Sequence, residues 1–553
     1  MKRSLLFFTV CSFSILQALG QAKQDNTGKT DTPQHDQAYT GPLNKAIGEQ
    51  GNDTGFDMAP ETTPKIVAAA VRSIKTKMPA GPFQPNWESL KTNYKVPEWY
   101  KGAKFGLCMH WGLYSVPAYH NEWYEKHMYG TPAIAAWHVQ HFGGQDKFGY
   151  KDFIPMFTAE KFDPNAWAEL FKKSGARFFM PACQHHDGFA LWDSQVAPFN
   201  AKKMGPKRDL IGELSTAIRK QGLKFGFTNH QIENFQFINP PQEMLDKMKA
   251  EKADLFDPEW ANFYNVADRR DEACRKFLVN WFDRNAELID KYKPDMLWFD
   301  NGVDQRYLDP LKLMVAAYYY NSAKKWNKEV SLNTKKAAFA PSGVNTATIG
   351  SILDFEGKTP PAIRNGTWVV DTQIGSTWGY TSNMRVSTAN AIVSRLVDIV
   401  SKNGTMMLNL SPKADGTIPQ EQQETLLGVG KWLTVNGDAI YDTHNWVTFA
   451  EAEQSAPKIY FTVKGDDLYA IILGKWPGSS VTITSLAQGK NINGMITTIT
   501  MLGSKEKLTF NQDASGLKVS LPANPPCDIA YTLKITGLKM NPFTTTVSGN
   551  PAD

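Results

Sequence analysis

At 553 residues the chain is long enough for two or three domains, each with its own core. Its net charge of +5 is spread without long basic runs, which gives no footing for nucleic acid, and no segment beyond residue 20 reads as a membrane span. Aromatic residues make up 12%, with 16 Trp, a composition that suits stacking on sugar C–H faces as well as a large core.

Lys2-Arg3, the apolar run Leu5 to Leu16 and the small residues of Ala18-Leu19-Gly20 read as a secretory signal over residues 1–20. The expectation is therefore an exported protein, periplasmic or extracellular. Residues 21–62 are polar and rich in Gly, Asp, Thr and Gln, and read as a linker or disordered arm. The remaining cysteines, Cys108, Cys183, Cys274 and Cys527, are too few and too scattered for a disulfide scaffold.

A first strand is predicted over Lys104 to Met109, ending in His110-Trp111-Gly112, with Glu122-Trp123 shortly after. The long connection Glu125 to Met156 is predicted to cover something. Asp163-Pro164 opens a helix that leads into a second strand, Arg177 to Ala182, followed by His185-His186-Asp187. The helix Asp209 to Lys220 feeds a third strand, Leu223 to Thr228, followed by Asn229. A helix over Cys274 to Tyr292 precedes Met296 to Phe299, an apolar run too short for a helix and stopped by Asp300-Asn301-Gly302. Further strands are predicted at Glu329 to Leu332, Ser351 to Phe355, Trp368 to Ile374 and Thr405 to Leu410. Eight strands with helices between many of them predict a (β/α)8-like barrel over residues 63–444. A doubly wound sheet is the weaker alternative, since no Gly-x-Gly-x-x-Gly follows the first strand. After Tyr441 short strands separated by turns predict a β-sandwich over 445–540, with a tail at 541–553.

At or just after the strand C-termini fall His110, Glu122, Trp123, His185, His186, Asn229, Asp300, Asn333, Lys335, Glu356 and Trp378. Polar and aromatic side chains at one mouth of a barrel predict a concave polar site. Adjacent residues of an extended chain face opposite ways, so His185 and His186 do not readily ligate one ion; no His-x-x-x-His occurs, and no metal or cofactor is predicted. A Ser nucleophile lacks its Gly-x-Ser-x-Gly elbow. Asp300 and Glu356 remain as paired carboxylates, the requirement of glycoside hydrolysis.

Lys104-Phe105-Gly106 through Tyr114-Ser115, Asn121 to Tyr124, His185 to Phe189, Met204 to Asp209, Trp298-Phe299-Asp300, Trp378-Gly379-Tyr380, Asn403-Gly404 through Ser411-Pro412, and Gly430 through Gly437 resemble the α-L-fucosidases of glycoside hydrolase family 29. The resemblance runs from about residue 90 to 445, in the family's order, and implies a barrel followed by a β-sandwich. It implies a retaining enzyme acting on a fucosylated oligosaccharide or glycoconjugate, with Asp300 as nucleophile. It also implies hydroxyl contacts from His110, Glu122, Trp123, His185 and His186, and an apolar wall from Trp298 and Trp378. The chain departs from the family at three places. The seventh strand has Trp368-Val369 where many members have Trp-Glu, so the acid/base is assigned to Glu356 in Asp354-Phe355-Glu356-Gly357, with Asp371 in reserve. Thr228-Asn229-His230 stands where Tyr-Tyr-Ser is frequent, and Lys335 where an Arg is. A related sugar such as an α-L-galactoside, or an inactive glycan-binding protein, are the competing readings.

Overall fold

The computed structural model describes residues 63–540 apart from 236, 269, 336–337, 342–347, 452–456 and 490–492. The expected signal, polar arm and C-terminal tail lie outside the described residues. Eight parallel strands close into a barrel in chain order. They are β1 (Phe105–Met109), β2 (Phe178–Gln184), β3 (Lys224–Asn229), β4 (Met296–Phe299), β5 (Ser331–Lys335), β6 (Ile352–Asp354), β7 (Trp368–Gln373) and β8 (Gly404–Leu410). The last pairs with the first, Leu107 opposite Leu408, so no sheet edge remains.

Helices Pro164–Lys173, Leu210–Lys220, Asp271–Tyr292, Asp309–Lys325, Ala389–Ser401 and Gln420–Asn436 surround the barrel. Asp163 caps the first of these, accepting from the N–H groups of Asn165 and Ala166, and Pro164 occupies its first position, where no N–H is needed. The connection from Glu125 to Met156 folds as helices Tyr124–Gly130 and Pro132–Phe142 and a 3-10 turn, Tyr150–Met156, instead of a bare loop.

Strand alternation sorts the barrel side chains. Met296 and Trp298 point into the barrel with Cys108, Phe178, Met180, Ile352, Val369 and Met407, while Leu297 and Phe299 join the larger core under the helices. The same parity carries Asp300 to the inner side, two residues beyond Trp298. It does the same for His110 beyond Cys108, Glu356 beyond Asp354, and His230 beyond Thr228.

The C-terminal domain is antiparallel throughout. A five-stranded sheet has the order β13-β16-β11-β10-β9, and a three-stranded one the order β12-β15-β14. The strands are β9 (His444–Glu451), β10 (Lys458–Lys464), β11 (Asp467–Leu473), β12 (Ser480–Ile483), β13 (Gly494–Met501), β14 (Phe510–Asp513), β15 (Gly516–Ser520) and β16 (Ala530–Leu538). Ile459, Phe461, Val463, Leu468, Ala470 and Ile472 face the second sheet. On the other face of the same strands Tyr460, Tyr469 and Ile471 belong to the core of the barrel domain. Trp432 Nε1 donates to Ala530 O at 3.0 Å across this contact.

Candidate active site

At the C-terminal mouth of the barrel, Asp300 stands at the end of β4 and is 5% exposed. Its Oδ1 is 2.7 Å from Lys335 Nζ, and its Oδ2 accepts from His230 Nδ1 at 2.6 Å. Burial opposes the charge, but Lys335 and then His230 outweigh it and hold the carboxyl well below the ordinary range. The ionised Asp300 can only accept, so His230 Nδ1–H is the donor, and its Nε2 lies 3.0 Å from Thr228 Oγ1.

Lys335, last residue of β5, also reaches Glu356 Oε1 at 2.7 Å. Its ammonium therefore bridges two carboxylates from different strands, and lies over the Trp298 and Trp378 rings at 5.0 and 5.9 Å from their centroids. Burial would lower its proton affinity, but Asp300 and then Glu356 raise it well above the usual lysine range. A general acid must hold its proton, which burial beside aromatics and repulsion from Asp300 would favour. Instead the Glu356 side chain is 29% exposed and paired with the cation. Asp371, the reserve carboxyl, is on the inner side of β7, 2% exposed, and its carboxyl faces Asp354.

Four imidazoles line the opposite side. His110 Nδ1 is 2.7 Å from Asn409 Oδ1, whose amide donates to Trp378 O at 2.8 Å; the Nδ1–H is thus the donor and Nε2 is turned to the site. The His185 ring lies 4.2, 4.9 and 5.3 Å from those of His186, His230 and His110. His186 Nδ1 is 3.1 Å from both His230 O and Glu233 Oε2, while its Nε2 is 3.6 Å from Asp300 Oδ2. Burial lowers the proton affinity of His110 and His185 strongly and that of His186 to about 3, so all three are neutral. Ligand atoms of His110, His185 and His230, and of His186, His230 and Asp300, lie within 4.8 Å of one another. His230 is common to both groups and its two nitrogens already serve Asp300 and Thr228, so the set is built as hydrogen-bonding imidazoles.

Glu122 accepts from the main-chain N–H groups of Trp378 and Gly379 at 3.2 and 3.1 Å, fixing the loop after β7. Trp123 sets its edge against His186, with ring centroids 5.7 Å apart, and carries Lys126 Nζ over its face at 4.7 Å. Trp298 packs beside His230, and Trp378 beside His110.

Of the residues expected from sequence, Asn229 lies elsewhere. Its amide faces Asn285 on the helix behind β3, and its carbonyl oxygen accepts from Gln231 N. The next residue, His230, takes the inward place, as do the unexpected Asn409 and Asp354. The signal for His230 was the alternation Phe225, Phe227, Asn229 on the outer face against Gly226, Thr228, His230 on the inner.

A family profile described as Alpha-L-fucosidase matches residues 70–438, and one described as Alpha-L-fucosidase C-terminal domain matches 452–536. Tissue alpha-L-fucosidase of Homo sapiens is 33% identical over 492 residues, covering 86% of this chain and 96% of that protein. The plasma alpha-L-fucosidase of Homo sapiens is 31% identical over 479 residues, covering 82% of this chain and 93% of that one. The crystal structure of Thermotoga maritima alpha-fucosidase in complex with fucose is similar with a TM-score of 0.65 and 31% identity, covering 82% of this chain and all of that one. With profiles over both domains and relatives matched nearly end to end, the chain belongs to the α-L-fucosidase family of glycoside hydrolases.

Proposed function

We propose that this chain is an exported, retaining exo-α-L-fucosidase that removes terminal α-L-fucose from fucosylated oligosaccharides or glycoconjugates. Asp300 is the nucleophile and Glu356 the general acid and base. The observation that carries this reading is the Lys335 bridge. Each carboxyl has an oxygen 2.7 Å from the same nitrogen, so those two oxygens are no further apart than twice that length. This fits the carboxyl separation of about 5–5.5 Å at which one carboxylate attacks the sugar directly. A site that activates water on the far face needs roughly 6.5 Å or more.

Asp300 bonds to the anomeric carbon as the glycosidic C–O bond breaks, and Glu356 gives its proton to the departing oxygen. Glu356 then takes a proton from water, the water oxygen bonds to the same carbon, and Asp300 leaves with its electron pair. Two displacements restore the starting configuration. Lys335 supports the first step by keeping Asp300 ionised. The sugar, on entering, draws Glu356 out of its ion pair, and the freed, partly exposed carboxylate takes up from solvent the proton it donates; a flexible ammonium stem permits the move more readily than a guanidinium fork. Neutral imidazoles of His110, His185 and His186 both give and accept hydrogen bonds, as sugar hydroxyls require. Trp298 and Trp378 supply an apolar wall for the sugar's methyl group. Export is supported by Lys2-Arg3, the Leu5 to Leu16 run and the small residues before Gln21.

A 2-deoxy-2-fluoro-fucoside with an activated leaving group should label Asp300, located by peptide mass spectrometry. Asp300→Asn should lose at least roughly 10³-fold in turnover. A label on another residue, or near-normal turnover of the variant, overturns the assignment. Comparison with the matching α-L-galactoside measures how firmly the wall rejects one added hydroxyl.

A further inference from the structure

We propose that Asp354 is a positioning residue whose single carboxylate fixes both the turn that carries Glu356 and the indole of Trp298. This rests on Glu356 as the acid/base. Asp354 ends β6 and is buried inside the barrel. Its Oδ2 accepts from Trp298 Nε1 at 2.6 Å. Its Oδ1 accepts from the main-chain N–H of Glu356 at 2.9 Å and of Asp371 at 3.2 Å. One side chain thus joins β4, β6 and β7 directly beneath the two carboxyls of the proposed reaction.

Glu356 needs such a hold. Its φ of 27° lies in the region that favours glycine, and Gly357 follows at 62°. An unrestrained Glu would leave this conformation and carry its carboxyl away from the leaving oxygen. Three hydrogen bonds prevent that. Besides Asp354 on the Glu356 N–H, the Gly357 N–H donates to Asp371 O at 2.8 Å, and Arg395 Nη2 donates to Gly357 O at 2.7 Å. The Asp371 carboxyl completes the arrangement. Burial, and next the adjacent Asp354, push it well up, while the Trp298 and Glu356 N–H groups work against burial at Asp354.

Asp354→Asn keeps the shape but turns an NH₂ towards either the Trp298 N–H or the Glu356 N–H, where only an acceptor fits. The test is a series of aryl α-L-fucosides of graded leaving-group acidity, read as the slope of log kcat/KM against leaving-group pKa. With the acid misplaced, the slope should steepen. The worst leaving group should lose roughly 10- to 100-fold and the best little, a loss of the size an ångström of displacement causes. Labelling by the activated fluoro-fucoside, which needs no acid, should fall far less than turnover of the worst leaving group. Arg395→Gln loosens the same turn from its other side and should steepen the slope in the same sense; it decides the matter if Asp354→Asn does not fold. A uniform fall across the series with an unchanged slope would mean that Asp354 supports only the fold. Glu356→Ala is measured alongside. If it is steep while neither Asp354→Asn nor Arg395→Gln is, only this inference fails. If Glu356→Ala itself shows an unchanged slope and no rescue by azide, Glu356 is not the acid/base, and both readings fall.

Discussion

Lys335 brings together two demands on the site. A carboxylate as buried as Asp300 would ordinarily hold its proton, and the ammonium 2.7 Å away, helped by His230, reverses that. As the proposed nucleophile Asp300 must be ionised to attack, so on that reading activity falls as pH drops through its pKa, which Lys335 holds well below the usual carboxylate range. Lys335→Met removes the largest opposing charge while burial remains. The acidic limb of the kcat/KM profile should then move up by at least about one pH unit. A limb that stays in place would show that His230 alone keeps Asp300 ionised. His110, Asp300, Lys335 and Glu356 could be placed at the barrel mouth from the sequence because each lies at a strand's C-terminal end or within two residues of it. The Asn229 expectation took the last residue before the loop, where the inward position is one further on. Which of Glu356 and Asp371 meets Lys335 was not readable, since that depends on a three-dimensional turn at positive φ.

The strands of the barrel act as two-sided elements whose inner and outer rows carry different chemistry. The inner row is packed by complementary sizes. Gly106 on β1 leaves its place to the Phe178 ring of β2, and a Cβ there would collide with that ring. Gly106→Ala should therefore lose about 1–3 kcal/mol in denaturant unfolding, the usual cost of overpacking. A change within experimental error would show that Phe178 has room to turn. The element boundaries most legible in the sequence were those set by continuous apolar runs, as at Met296–Phe299. On β5 the sequence suggests Glu329 to Leu332, whereas the strand spans Ser331–Lys335. Near the mouth the inward residues are polar, and Asn333, Thr334 and Lys335 read as a loop. For the same reason β14, with Phe510-Asn511-Gln512-Asp513 at a sheet edge, and β9, whose burial does not alternate, escape a reading by periodicity.

At the scale of the molecule, eight strands with helices between many of them, and a change to short strands after Tyr441, were enough to reveal a barrel followed by a β-domain. The contact between them was not, because Tyr460, Tyr469 and Ile471 alternate with residues of the second domain's own core, and alternation alone does not say what covers the second face. The structure shows that face buried in the core of the barrel domain, beside helices Ala389–Ser401 and Gln420–Asn436. Removing residues 445–540 would expose the apolar surface of these helices. A chain ending at Asp442 should therefore be recovered mainly as aggregate, whereas a full chain purified in parallel remains monodisperse by size-exclusion chromatography. Recovery of a folded, soluble barrel from the shortened gene would show the contact to be dispensable. The shared core also bears on how such a gene is inherited or rebuilt. A recombination point near residue 445, attractive because the strand pattern changes there, would separate two halves of one apolar interface. Swapping in a foreign β-domain would thus succeed only with a partner that brings matching side chains for the outer faces of these helices, so the two segments are constrained to diverge together.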